Sequence, residues 1–328
     1  MKTTSGLAMA VLLAFYGTTV RASTFTTNNP SGIAPISFSI DFVTVGDAGN
    51  TGTNGWNYTS ETHGGVNYNY RIGKTEISVG QYNALTYAVS GSTTGLGSAM
   101  AAGGVSTMKA LMYANWLNAG CLSGGPVESQ INGGVYNFTS WATIAPWAEA
   151  DQWDNGDGTK NIWRNKNAKY FLPGEDELVK AAFYKGGSTT AGYWRYPTSS
   201  NTAPTAEGAS TGTNSANYDN VIGAALPVGS HPNTVSPYGA LDMAGNLFEM
   251  AELRYSTGEN KYTPVWMGNY VYGAGFLYGT TGYGVGTDAT PADVGFRIAT
   301  VIPEPTTLSL LGLVASLALI RRKKYCKS

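Results

Sequence analysis

Glu175, Asp176 and Glu177 form one acidic run, and Glu249 stands alone in a later apolar segment. Carboxylates of this kind can take or give protons when two of them share a cleft. The run follows Leu172-Pro173-Gly174, so it reads equally as the charged first turn of a helix, where the helix dipole favours negative charge. Asp154-Asn155-Gly156-Asp157-Gly158-Thr159 has the composition of a calcium loop. Its carboxylates are three apart, however, not at alternate positions, and a plain turn is the better reading. Histidine is confined to His63 and His231, which argues against a zinc centre or a Ser-His-Asp triad. Cysteine is confined to Cys121 and Cys326. Tyr193-Trp194-Arg195-Tyr196 offers flat rings with polar edges, suited to sugar stacking or to burial in a core.

Elements that would carry these residues can be read from period and punctuation. Ile36 to Val45 alternates as ISFSIDFVTV and predicts a strand. Asp47 to Tyr58 is a Gly/Asn/Thr-rich loop, and Tyr68 to Ile77 predicts a second strand. Ser78 reads as the N-cap of a helix running through Gln81, Tyr82, Leu85 and Val89 toward Gly91. A second helix over Met108 to Leu117 spaces Leu111, Met112, Asn115 and Trp116 for one buried face. A third is expected over Glu175 to Tyr184. Helices come early and irregular β-type segments late, which predicts an α+β fold. The net charge of -1 leaves no electrostatic footprint for nucleic acid.

Five segments in order resemble the formylglycine-generating enzyme family, also called the sulfatase-modifying-factor domain. They are Tyr70 to Ile77 with Gln81-Tyr82, Ala114-Asn115-Trp116-Leu117-Asn118, Tyr170 to Glu177, Pro237 to Met250, and Gly295-Phe296-Arg297-Ile298-Ala299. Together they span residues 68 to 299. The resemblance implies a single α+β domain with a complex C-type-lectin-like fold and little regular secondary structure. Each segment also has a plain structural reading. Leu241, Met243, Leu247, Phe248 and Met250 would pack around a Gly-Asn turn, and Arg297 would pair with an acid in a last core strand.

The resemblance further implies structural calcium. One site maps onto Asp242, Glu249 and the backbone carbonyls of Gly245 and Leu247, and a second onto Asn217 and the Tyr218 carbonyl, with Asn220 and Ile222 beside them. Calcium takes six to eight oxygens from such mixed donors. Oxidase members of the family bind copper through a late cysteine pair, as suits soft Cu(I). The corresponding stretch here, Val265 to Gly284, holds no cysteine, so no copper is expected. Three function classes remain: a non-catalytic module that binds a glycan, peptide or matrix component; an enzyme of the same fold with another chemistry; and a structural matrix protein.

Residues 1–22 read as a signal peptide: Lys2, an apolar core over Leu7 to Tyr16, and small residues up to Ala22. The same segment, on its apolarity alone, could be a buried helix. At the other end, Pro303-Glu304-Pro305, an apolar run over 306–320 and Arg321-Arg322-Lys323-Lys324 resemble the PEP-CTERM sorting signal over residues 303–328. An ordinary tail anchor is the alternative. Fifteen helical residues span roughly 22 Å, short of the ~30 Å hydrocarbon core, and the basic cluster would stay cytoplasmic. The expected course is export of residues 23–302, transient hold on the inner membrane, release by an exosortase-type protease, and residence at the cell surface or extracellular matrix beside a polysaccharide or surface protein. No disulfide can form in the ectodomain, which holds Cys121 alone. Intact mass spectrometry of the chain from an exosortase-bearing native host should show loss of residues 1–22 and a C-terminus near Pro303. Recovery of Met1, or of the uncut tail, would refute the sorting assignment.

Overall fold

The computed structural model describes residues 20–27, 33–54, 61–121, 134–140, 143–253, 262–278 and 284–302. The apolar core of the expected signal peptide and the 303–328 tail lie outside them. Among the described residues no helix is long and apolar enough to cross a membrane. The strands in chain order are β1 (Val20–Thr26), β2 (Ser37–Val45), β3 (Tyr70–Gly73), β4 (Asn137–Ser140), β5 (Thr143–Ala145), β6 (Gln152–Asp154), β7 (Lys160–Asn165) and β8 (Tyr170–Phe171). There follow β9 (Thr205–Ala206), β10 (Ser215–Ala216), β11 (Phe248–Met250), β12 (Tyr262–Trp266), β13 (Gly284–Gly286), β14 (Val294–Gly295) and β15 (Ala299–Val301). The α-helices are α1 (Val79–Ser90), α2 (Thr107–Asn118) and α3 (Glu175–Phe183).

A five-stranded antiparallel sheet in the order β1-β2-β3-β15-β8 brings the end of the domain back beside its beginning. A second sheet, β13-β12-β11-β14, carries the late apolar segments. The rest is two short hairpins, β4-β5 and β6-β7, a short parallel pair, β9-β10, and loops, in keeping with an α+β fold of few regular elements. The expected second strand proves short, ending at Gly73, because Lys74 to Ile77 turns to reach the helix cap. The expected cleavage after Ala22 falls within β1, where Ser23 to Thr26 keep four of its register pairs with β2.

Helix α1 starts and stops as its residues dictate. Ser78 Oγ accepts the Gln81 amide, Gln81 Oε1 accepts the Ser78 amide, and Gly91 closes the helix at φ 71°. Helix α2 departs from the expected single apolar face: every residue from Thr107 to Leu117 except Lys109 is buried. It is a central element, not a surface one. Trp116 stacks on Phe38 of β2 at 5.9 Å, and Tyr113 meets the Phe296 ring edge at 5.7 Å. Residues 155–159 form the β6–β7 hairpin loop, where Asp154 at the end of β6 and Asp157 accept amides two residues ahead.

The buried polar centre of this half is Arg164 of β7. Its guanidinium donates to both oxygens of Glu177, in α3, and both of Glu252, just after β11, at 2.7–2.9 Å. Phe171 lies against its face at 3.7 Å. Tyr68 completes Glu177, and Tyr136 and Asn161 complete Glu252. One side chain therefore ties β7, α3 and the second sheet together. Arg164→Met should cost about 3–5 kcal/mol in chemical denaturation, because two buried carboxylates lose their cation. Adding Glu177→Gln and Glu252→Gln should recover most of that loss. Equal stability of the wild type and Arg164→Met would refute this role.

Candidate functional site

The segment carrying the first expected calcium set is held by its own turn. Gly245 and Asn246 both adopt positive φ, 73° and 60°. A Cβ at Gly245 would lie 2.3 Å from the Asn217 carbonyl oxygen, so only glycine fits. Asn246 locks the turn. Its amide donates to the Asn217 carbonyl, its Nδ2 donates to both oxygens of Glu76, and its Oδ1 accepts the Leu226 amide. Leu241, Met243, Leu247, Phe248 and Met250 are all buried around it. Burial, with Asp242 and Glu249 nearby, pushes the Glu76 carboxyl well above the usual carboxylate range.

Glu249 is fully buried, and both its oxygens accept from Arg297. Arg297 also donates to the Gly73 and Leu241 carbonyls. This is the Arg-acid pair expected of the last core segment. In the set of Asp242, Glu249 and the Gly245 and Leu247 carbonyls, the Glu249 carboxylate is thus already paired with a cation. Asp242 Oδ2 accepts the Gly229 amide, as a turn-capping carboxylate does. The second set fits better. Asn217 pairs with Gly245, and its Nδ2 donates to the Ala224 carbonyl and Asn246 Oδ1. Its Oδ1 is buried without a hydrogen-bond partner, the kind of oxygen a hard cation would take. Asn220 and Ile222, by contrast, lie exposed on the loop.

A wide polar concavity lies elsewhere. A cavity of about 590 Å³ opens between the start of α3, the β6–β7 loop and the segment 61–68. That is within the ordinary size of small-ligand sites. Arg164 and its two carboxylates form the floor. Burial opposes charge on Glu177, but the Arg164 guanidinium outweighs it and holds that carboxyl below its usual range. Glu175 and Asp176 stand on the rim with Glu61 and His63. His63 is buried, with Nδ1 3.5 Å from Asp176 Oδ1 and Nε2 3.6 Å from Glu61 Oε2. Its ring meets the Trp266 ring edge-on at 5.2 Å.

Of the four expected acid-base carboxylates, three therefore share one cavity and Glu249 does not. Sequence reasoning missed Arg164, Glu252, Glu61 and His63. The available signal was an arginine directly after two apolar residues in Ile162-Trp163-Arg164, and a second acid three residues after Glu249. The aromatic run is divided: Tyr196 is buried, Trp194 is half-buried beneath the Lys185 ammonium, and Tyr193 bonds inward to the Thr51 and Gly64 carbonyls. Cys121 is 1% exposed, and burial pushes its thiol up to about 12. In the described part of Val265 to Gly284, Asn269 is buried and Tyr272 stacks on Phe276 at 4.5 Å.

Residues 51–302 match the sulfatase-modifying factor enzyme 1-like domain. Comparison with curated proteins gives no match. Among solved structures, the chain is similar to Treponema denticola variable protein 1, with TM-score 0.50 and 18% identity over 86% of this chain and 99% of that one. It is similar also to CarF, with TM-score 0.50 and 24% identity over 80% of this chain and 98% of that one. PvdO from Pseudomonas aeruginosa aligns at TM-score 0.46 and 16% identity, over 86% and 93% of the two chains. At these identities the first two neighbours speak to the fold, which agrees with a single C-type-lectin-like domain. The match over residues 51–302 covers most of the chain, and the protein belongs to the sulfatase-modifying factor enzyme 1-like family.

Proposed function

We infer that the chain is an exported, surface-sorted binding module of this family, working without copper and without turnover. The cavity over Arg164 is its ligand site, and the ligand is a glycan, peptide or matrix component. The observation that carries this reading is the cavity's construction: a wide polar space whose ionic floor is closed on itself, leaving the rim to meet a guest. Copper chemistry in the family needs two thiolates, and the sequence places only Cys121 in the domain. A buried thiol with its pKa near 12 is a poor ligand at neutral pH. Tyr272 and Phe276 fill with packed rings part of the stretch where a thiol pair would stand.

A second reading, an enzyme of other chemistry, rests on His63 beside Asp176, an arrangement that can move protons. Mass spectrometry of a sulfatase-type cysteine peptide, incubated with copper-loaded protein, decides the first point. No thiol-to-aldehyde conversion is expected, and Cys121→Ser should change nothing. Copper-dependent turnover lost in Cys121→Ser would overturn the non-catalytic reading.

Calcium, on this reading, is structural and is held on the Asn217 side of the Gly245 turn, with the Tyr218 carbonyl as the neighbouring donor. A ligand at a hundredfold excess over its Kd adds about 2.7 kcal/mol to the folded state. The mature protein should melt lower in chelator than in calcium, and Asn217→Ala should abolish most of the difference. Identical melting in both conditions would refute the calcium assignment.

A further inference from the structure

The cavity has a chemical bias. Six carboxylates line it, from Glu61, Asp157, Glu175, Asp176, Glu177 and Glu252, against Arg164 and His63. Arg164 offsets only one of the two floor carboxylates, and the rim adds four more, so the cavity is acidic. A concave site lined by one sign of charge concentrates the opposite sign.

His63 gives that bias a direction. Its side chain is 9% exposed, and its Nε2 has no hydrogen-bond partner. With Nδ1–H turned to Asp176, the neutral imidazole presents a lone pair at Nε2, 3.6 Å from Glu61 Oε2. Two acceptors at that spacing call for a positive group with several hydrogens. An ammonium supplies three donors on one atom. A metal ion fits less well, since among the described residues no group of three or more His, Cys, Asp or Glu forms a metal site. Val66 and Leu253 contribute apolar atoms to the same wall, which suits a methylene stem.

Resting on the reading of this cavity as the ligand site, we propose that it binds a primary alkylammonium group, which bridges His63 Nε2 and the Glu61 carboxylate from the cavity side. The group is a lysine side chain of a partner peptide or a free aliphatic amine. Protonating His63 turns Nε2 from acceptor to donor and places a second cation where the ammonium sits. Burial lowers the imidazole's affinity for a proton, but the Asp176 hydrogen bond and the charges of Glu175, Asp176 and Glu61 outweigh it, so its pKa stands above the ordinary value. Binding therefore strengthens as pH rises through the imidazole titration and weakens as pH falls through it.

The test is calorimetric titration of the mature chain with cadaverine, with Nα-acetyl-lysine methylamide and with its Nε-acetylated form. Both free amines should bind, and Nε-acetylation should weaken binding about tenfold or more, the scale of one charge-assisted hydrogen bond. Glu61→Gln, a change at a part-exposed position, should weaken both amines similarly while the melting temperature holds. Tighter binding of the lysine analogue identifies a peptide source, and tighter binding of cadaverine a free amine; either supports the proposal. Equal binding of the acetylated and free forms, or no binding of any amine, overturns it. In that event a neutral oligosaccharide whose binding is lost in Asn67→Ala keeps the cavity as the ligand site. Failure of that arm as well removes the cavity reading altogether.

Discussion

The architecture of the candidate site depends on a single buried guanidinium. Arg164 is almost wholly withdrawn from water, and a charge so placed is stable only if its hydrogens are all answered. Glu177 and Glu252 answer them from two elements distant in sequence, and Phe171 covers the ring face. The constraint runs both ways. The two acids could not be buried without Arg164, and the start of α3 could not sit beside the end of β11 without the acids. The cavity is the space left above this clamp. A second clamp, Arg297 with Glu249, plays the same part between the two sheets.

The late apolar segments carry the family resemblance through contacts that hold the fold. Asn246 joins Glu76, Asn217 and Leu226, and Arg297 joins Glu249, Gly73 and Leu241. These are fold-holding duties, and they persist whether or not a thiol pair stands nearby. The proposed ligand site lies on the other side of the clamp, at the loop 61–68 and the first turn of α3.

Much of the fold was legible because local signals decide it. Ser78 with Gln81 is a capping box, Gly91 closes α1 in the left-handed region, and the alternation of Ile40 and Phe42 marks β2. The complete burial of α2 was not legible, since periodicity reports a preferred face and not how many layers cover the helix. The site was legible only in part. Glu175, Asp176 and Glu177 announce themselves as a run. Their partners Arg164, Glu252 and His63 are separated from them in sequence, and only the crossing of β7, α3 and β11 brings them together. Glu249 shows the converse: a conspicuous carboxylate whose buried partner, Arg297, takes it out of the chemistry.

Whether the cavity over Arg164 receives a guest at His63 can be read on the imidazole itself. The chain has two histidines, so ring-nitrogen NMR of the labelled protein gives two imidazoles, and His231→Gln assigns them. Above its titration, the Nε2 of His63 should carry a lone pair and shift on addition of cadaverine while His231 stays still. A His63 Nε2 that is protonated throughout, or that does not respond while His231 does, would contradict it.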